Sequence, residues 1–559
     1  MNATILAVIG LAMIFTGYRF YSKFIAEQIY RLDPDYETPA HAMRDDVDYI
    51  PTNRVVLWGH HFTAVAGAAP IIGPGIAVIW GWLPAFLWVI FGTMFFAGVH
   101  DFGAVWASVR NKAKSVGALT GDVVSPRART LFMVVVFFLL MMVNAVFAVA
   151  ISNEFQATPS SVIPAWTAVF VAVGIGILIY RMHVPILWPT VVGTVILYAV
   201  IYLGEQFPIE LTAGMLPVGA QWILILFLYA GIASLLPVWL LLQPRDYING
   251  IQLFVGLGLL YGAVLIASPT IVAPAINPNV PASAPPIFPL LFVTIACGAI
   301  SGFHGLVGSG TTSKQLNKET DARFVGYLGS SGEGSLALVA IIAATAGFAT
   351  LGEWETMYAE FGNGGITAFV QGGAAIVSAG VGISTEFAAT LLTVMAVLFA
   401  GTTMDAGVRL QRYIVQEWGA IYNIPVLQNG YVATVAAVAA CLLLAFGAGG
   451  PSGEGGMLIW PLFGTTNQLL AGLTLLVISV ILVKLGRPAR YTLIPMVFIT
   501  TMALAAALYQ LGNLYRAGGF LYPLLWIDVA IVLLAIFTML EAGSAFLREK
   551  RAAEAGASA

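Results

Sequence analysis

The sequence predicts an all-α polytopic membrane protein with about 15–16 transmembrane helices, two of them interrupted, and three observations predict it. Of 559 residues, 59% are hydrophobic and 9% charged, with a mean hydropathy of +0.90, whereas soluble domains carry roughly a quarter charged residues. The apolar residues fall into runs near the ~20 that a helix needs to cross a bilayer. Two of those runs carry glycine and proline, one of them serine as well, where a continuous helix would exclude them. The partners implied are a lipid bilayer and a small molecule; a net charge of -3 argues against nucleic acid.

In chain order, spans are predicted near 2–18, 54–80, 83–109, 128–151, 162–180, 185–204, 222–242, 249–272, 287–312, 334–351, 385–403, 430–447, 457–484, 491–511 and 522–541. The first run has no basic residue before it and Arg19 and Lys23 after it, the reverse of a cleavable signal peptide, so it reads as a retained helix with its N-terminus outside. Starting there, alternate loops hold 23 of the 24 Lys and Arg residues, with Arg516 outside the pattern. That is the positive-inside rule, and it puts the C-terminus in the cytoplasm. The piece 365–382 is apolar and glycine-rich; as a further crossing it would invert everything after it, so it reads as re-entrant.

No segment is long enough for a separate soluble domain, and the other loops are short and rich in Pro and Gly, as at 273–286 and 447–456. The chain divides into an N-terminal helix and loop (1–53), a transporter core (54–403) and C-terminal helices with a short tail (404–559). Residues 404–429 mix apolar and charged faces, with Asp405 four before Arg409, the spacing of a cytoplasmic interfacial helix. There Asp405 pairs with Arg409 and Arg412. Cys297 and Cys441 fall in apolar runs as small buried hydrophobes. Trp58, Trp80, Trp82, Trp166, Trp222, Trp354, Trp460 and Trp526 fall near span ends, where an aromatic belt would place them.

The stretch WGHHFTAVAGAAPIIGPGIAVIWGW (58–82) carries Gly67, Ala68, Pro70, Gly73 and Gly75 through its middle. Interior proline removes a helix donor and glycine loosens the backbone, so 66–75 should unwind. Unwound backbone at membrane depth is tolerated only where protein or a wet cavity satisfies it. Five spans on, Gly231, Ser234 and Pro237 interrupt YAGIASLLPVWLLLQPRDY (229–247). Matching interrupted helices are the footprint of inverted-repeat secondary transporters. Ser301, Ser309, Thr311, Thr312 and Ser313 then cluster beside glycines. With freed carbonyls near Gly67 and Pro70 they would form an all-oxygen sodium site; the alternative is close packing of small residues.

Six blocks carry a family resemblance: WGHHFTAVAGAAPIIGP, FAGVHDFGAVWASVRNK, LYAGIASLLPVWLLLQPRDYIN, SGFHGLVGSGTTSKQL, TTMDAGVRLQRYIVQE and WPLFGTTNQLLAGL. Spread over residues 58–473, they resemble the carbon starvation protein family. The resemblance implies a bacterial inner-membrane transporter of peptides or pyruvate, ion-coupled by H+ or Na+. It also implies a fold similar to the leucine-transporter (LeuT-like, amino acid/polyamine/organocation) group, with a 5+5 inverted repeat plus extra helices.

Ionisable groups inside a membrane point to function by default. His60 and His61 lie on the first interrupted helix, His100 and Asp101 on the next span, and His304 in a glycine-broken one. Such a cluster reads as a proton relay, as a transition-metal site formed by His60, His61, His100 and Asp101, or as a hydrogen-bonded gate. Asp405 joins the gate candidates. A half-helix N-terminus offers amides and a positive dipole end to a carboxylate. The function predicted is therefore ion-coupled uptake of a peptide or pyruvate-like acid. The rivals are a nutrient sensor, a passive channel and, remotely, a histidine-metal membrane enzyme.

Overall fold

A computed structural model describes residues 1–45, 48–185, 187–237, 239–453, 458–519 and 523–557. The loop residues 454–456 and the predicted span starts at 457 and 522 lie outside them.

The described residues form helices α1 (Ala3–Ile29), α2 (Arg54–Val65), α3 (Ala69–Trp80), α4 (Trp82–Arg110), α5 (Pro126–Ala157), α6 (Pro159–Arg181), α7 (Leu187–Gln206), α8 (Val218–Leu235) and α9 (Leu242–Ala267). There follow α10 (Ile287–Thr294), α11 (302–315), α12 (Arg323–Ala346), α13 (Gly365–Val381), α14 (Thr385–Ile421), α15 (Gly430–Gly447), α16 (Trp460–Lys484), α17 (Arg490–Gly518) and α18 (Pro523–Ala557). Thirteen are long and apolar enough to cross a membrane, and α2 with α3, bent by 50°, make a fourteenth crossing. Helices α10 and α11 with the unwound stretch between them fall where the sequence predicts one more span, 287–312. Among the described residues the only extended pairings are two isolated bridges, Asn2 with Thr270 and Thr52 with Leu316.

Helix α13 is apolar but shorter than the membrane-length helices. Its start packs on Gly75, its middle on Ala343 and Gly347, and its end on Ala263, where a Cβ on Gly380 would sit 2.7 Å from the Ala263 Cα. Those contacts lie toward the far ends of α3, α12 and α9. The loop after α9 ties these ends together, through Ile271 N to Met1 O, Val272 N to Thr345 O and Asn277 N to Trp80 O. This 17-residue helix thus packs along one end of the bundle at its start, middle and finish.

Helices α12, α14 and α16 form the centre, each with more than four-fifths of its apolar stretch buried. Residues 404–421 continue α14 as one 37-residue helix. They do not form the separate interfacial helix that the charge spacing suggested, because Asp405 and Arg409 are buried inside the bundle.

Candidate functional site

Two antiparallel interrupted helices meet at the centre. Helix α2 ends at Val65 and α3 starts at Ala69, so Ala66–Ala68 alone form the first break. Pro70 sits in the first turn of α3, where its missing N–H is of no consequence. Gly73 and Gly75 lie within α3 and permit close contact: a Cβ on Gly73 would stand 2.5 Å from Thr294 O, and one on Gly75 would stand 2.6 Å from Gly365 O. The expected break at 66–75 is thus only its first three residues.

The second break is 295–301, between α10 and α11. Gly298 takes φ +89°, and a Cβ there would stand 2.6 Å from Ala337 Cβ, so the position needs glycine. Side chains from distant helices satisfy the freed carbonyls. Trp460 Nε1 donates to Thr294 O, Trp88 Nε1 to Ile295 O and Thr93 Oγ1 to Gly298 O, each at 3.1 Å. Two buried tryptophan N–H groups therefore hold open a stretch that lipid could not. Trp80, Trp354 and Trp460 are buried, and hence are structural rather than members of an aromatic belt.

Between the breaks lies a void of about 20 Å³ lined by Val65, Gly67, Phe147, Cys297, Phe303 and Thr403 among others, room for about one water. The N-termini of α3 and α11 and the C-termini of α2 and α10 converge on it, so both signs of helix dipole are available. A cavity of about 850 Å³ opens beyond it at the end spanned by α13, lined by Ile72, Glu154, Gly365 and Thr367. A crevice of about 370 Å³ lies at the opposite end, lined by His60, Thr63, Gln243 and Asp246. Neither shares a lining residue with the central void.

Beside the second break four buried ionisable side chains make a chain. His100 Nδ1 lies 2.7 Å from Asp101 Oδ1, His304 Nδ1 lies 2.9 Å from Asp101 Oδ2, and His304 Nε2 lies 3.3 Å from Glu333 Oε1. Helix α4 supplies the first pair, α11 the bridging His304 at its first turn, and α12 Glu333. The last of these contacts is an ion pair without good hydrogen-bond geometry, and the Glu333 oxygens make no well-aligned hydrogen bond. The row places four ionisable side chains in contact inside the bundle.

The sequence matches the carbon starvation protein CstA family over residues 2–362 and 349–506. The chain belongs to that family. It is 33% identical to a peptide transporter CstA of Campylobacter jejuni over 92% of this chain and 82% of that one. It is 31% identical to a peptide transporter CstA of Bacillus subtilis over 93% of each, and 30% identical to the pyruvate/proton symporter BtsT of Escherichia coli over 93% of this chain and 84% of that one. Among solved structures, a manganese transporter of Eremococcus coleocola matches with a TM-score of 0.35 and 12% identity, covering 87% of this chain and 95% of that one, too loose a likeness to carry any argument.

Several residues singled out in this CstA-family chain lie elsewhere. Helix α8 runs unbroken through Gly231 and Ser234 to Leu235; Pro237 falls in the turn before α9, where a proline ends a helix instead of interrupting it. Ser234 donates to Gly231 O at 2.8 Å and faces Thr434 of α15 at 3.4 Å. The true partner of the first break is the seventh crossing after it, so the two breaks depart from a plain 5+5 spacing. Of the proposed sodium ligands, Ser309 donates to Gly305 O and Thr311 to Val307 O, and Thr312 meets His61 Nδ1 at 2.8 Å. His60 lines the crevice while buried His61 turns inward, so His60, His61, His100 and Asp101 do not form one metal site.

Asp405 pairs with Arg245 of α9, not with Arg409 or Arg412, and accepts from Tyr229 OH at 2.8 Å. Arg409 Nη2 instead donates to Ala233 O and Leu236 O at 2.8 Å, at the C-terminus of α8, where a cation is favoured. Asp405→Ala is expected to cost about 3–5 kcal/mol, because it strands the buried Arg245 charge. Replacing both partners, Arg245→Met with Asp405→Leu, should recover most of that. Thermal unfolding in detergent checks it, and equal losses in the single and double variants would refute the pairing.

Glu333 is the residue that the sequence reading missed. It stands one residue before the predicted span 334–351, amid glycines and serines that read as a loop; α12 in fact begins ten residues earlier.

Proposed function

We propose that this chain is a proton-coupled secondary transporter in a bacterial inner membrane, importing a small carboxylate-bearing nutrient, a pyruvate-like acid or a short peptide. The observation that carries the reading is His304, set between Asp101 and Glu333 one turn from the second break. An imidazole can take a proton on one nitrogen and release it from the other, and its neighbours sit where a substrate carboxylate would meet the helix N-termini. The printed names of the relatives, peptide transporter and pyruvate/proton symporter, agree with it.

With the positive-inside orientation, the 850 Å³ cavity is the outward vestibule and the crevice holding His60 faces the cytoplasm. The void between the breaks is far smaller than pyruvate, so loading requires the two interrupted helices to part. The His61–Thr312 contact between α2 and α11 is a latch that would open in that movement.

The test is uptake of labelled pyruvate and of a dipeptide into proteoliposomes under an imposed proton gradient and, separately, a sodium gradient. Concentrative uptake of one of them, driven by protons alone, is the expected result. Uptake driven only by sodium, or none of either compound under any gradient, would overturn the reading.

A further inference from the structure

We infer that Cys297, His304 and Glu333 form a binding site for a divalent transition metal of the zinc class, with its open position toward the central void. One donor atom from each lies within 4.8 Å of the others, and all three residues are buried. A tetrahedral zinc ion holds such donors about 3.3–3.6 Å apart. His304 Nε2 and Glu333 Oε1 already stand at 3.3 Å. The two edges to the thiol lie within 4.8 Å and would have to shorten on binding.

The surroundings are those of a metal centre. A ligating histidine characteristically gives its other ring nitrogen to a carboxylate, which fixes its tautomer and aim; here His304 Nδ1 meets Asp101 Oδ2 at 2.9 Å. That leaves Nε2 for the metal. On the thiol side, Asn467 Oδ1 accepts from Phe303 N at 3.1 Å, which turns Asn467 Nδ2 toward Cys297 Sγ at 3.4 Å and Ser301 Oγ at 3.0 Å. An amide donor on the sulfur favours the thiolate. Apart from their 3.3 Å ion-pair contact with each other, His304 Nε2 and the Glu333 oxygens are buried without a well-aligned hydrogen bond, which leaves lone pairs that a metal ion could engage.

Thiolate, imidazole and carboxylate together suit zinc or cobalt and discriminate against the hard ions calcium and magnesium. Three protein ligands leave a fourth position, and Cys297, which lines the void, directs it there. The metal occupies the atoms that the proposed function uses for protons, so bound zinc excludes the proton from His304 and Glu333. That consequence alone rests on the transport reading.

The test is metal binding by the purified full chain in detergent, which needs no transport. With Co2+ as probe, one equivalent bound and a thiolate-to-cobalt charge-transfer band are expected, and Zn2+ should displace both. Cys297→Ser should abolish the band and weaken Zn2+ binding by at least about 100-fold. Asp101→Asn, which touches no metal, should keep the band and weaken binding about 10–100-fold. No bound equivalent in the unaltered protein, or a band that survives Cys297→Ser, would overturn the site whatever the uptake experiments give. In proteoliposomes found competent for uptake, micromolar Zn2+ should inhibit the unaltered protein and spare any active Cys297→Ser protein; equal inhibition of both would overturn the proton-exclusion consequence.

Discussion

Asp101→Asn is expected to lower proton-driven uptake by about 100-fold or more while substrate exchange without a gradient falls far less. Among the described residues Asp101 is the one carboxylate that meets two imidazoles, His100 Nδ1 at 2.7 Å and His304 Nδ1 at 2.9 Å. Asparagine keeps the shape but removes the charge, and turns one amide N–H against a ring N–H. Breaking a buried charged pair from one side costs about 3–5 kcal/mol. If even 3 kcal/mol of that falls on the proton-loaded state, the coupled step slows about 100-fold. Exchange needs the helices to part and substrate to bind, but no net proton movement, so it separates a coupling role from a structural one. Glu333→Gln should behave alike from the other side of His304. Unaltered proton-driven uptake in Asp101→Asn would refute the relay, and a matching drop in melting temperature and in exchange would reduce the row to scaffolding.

The membrane class, the crossings and the first break were legible because each is a local property: apolar run length, the sign of loop charge, a Gly/Pro cluster. The second break was not. The stretch 231–237 and the stretch 295–301 both carry small and polar residues, and the former also has a proline, so local propensity favours the wrong one. What decides is supply of donors to the unwound carbonyls, and those come from Trp88, Thr93 and Trp460, each more than 160 residues away. The His/Asp site was half legible for the same reason. Histidine inside an apolar run is conspicuous, so His100, Asp101 and His304 stood out, and they do meet. Glu333 was masked by neighbours such as Ser330, Ser331 and Gly334, which read as loop yet are the small residues that let helices approach closely. Asp405 was visible, but its partner was misread, because the i,i+4 rule sees Arg409 along the helix and cannot see Arg245 across it.

The second large effect concerns packing. Gly464→Ala in α16 is expected to destabilise the protein by about 3 kcal/mol, the upper end of the usual cost of overpacking. A Cβ there would stand 1.9 Å from Val293 O, a backbone atom of α10, far inside van der Waals contact distance. Neither side can yield: α16 is the most buried of the crossing helices. The last turn of α10 is pinned by Trp460 Nε1 on Thr294 O and by Gln468 Nε2 on Phe292 O at 2.5 Å, both from α16 itself. Relief therefore means separating α16 from α10, which pulls on the carbonyls that the second break depends on, so uptake should fall with stability. The contrasting change is Gly258→Ala in α9, where nothing lies within 4 Å of the new carbon; there the helix gains about 0.5–1 kcal/mol from the loss of glycine's freedom. Thermal unfolding of the two variants in detergent checks both signs. A melting temperature for Gly464→Ala at or above that of the unaltered protein would mean that α10 moves freely against α16, and the fixed scaffold argued for the second break would fail with it.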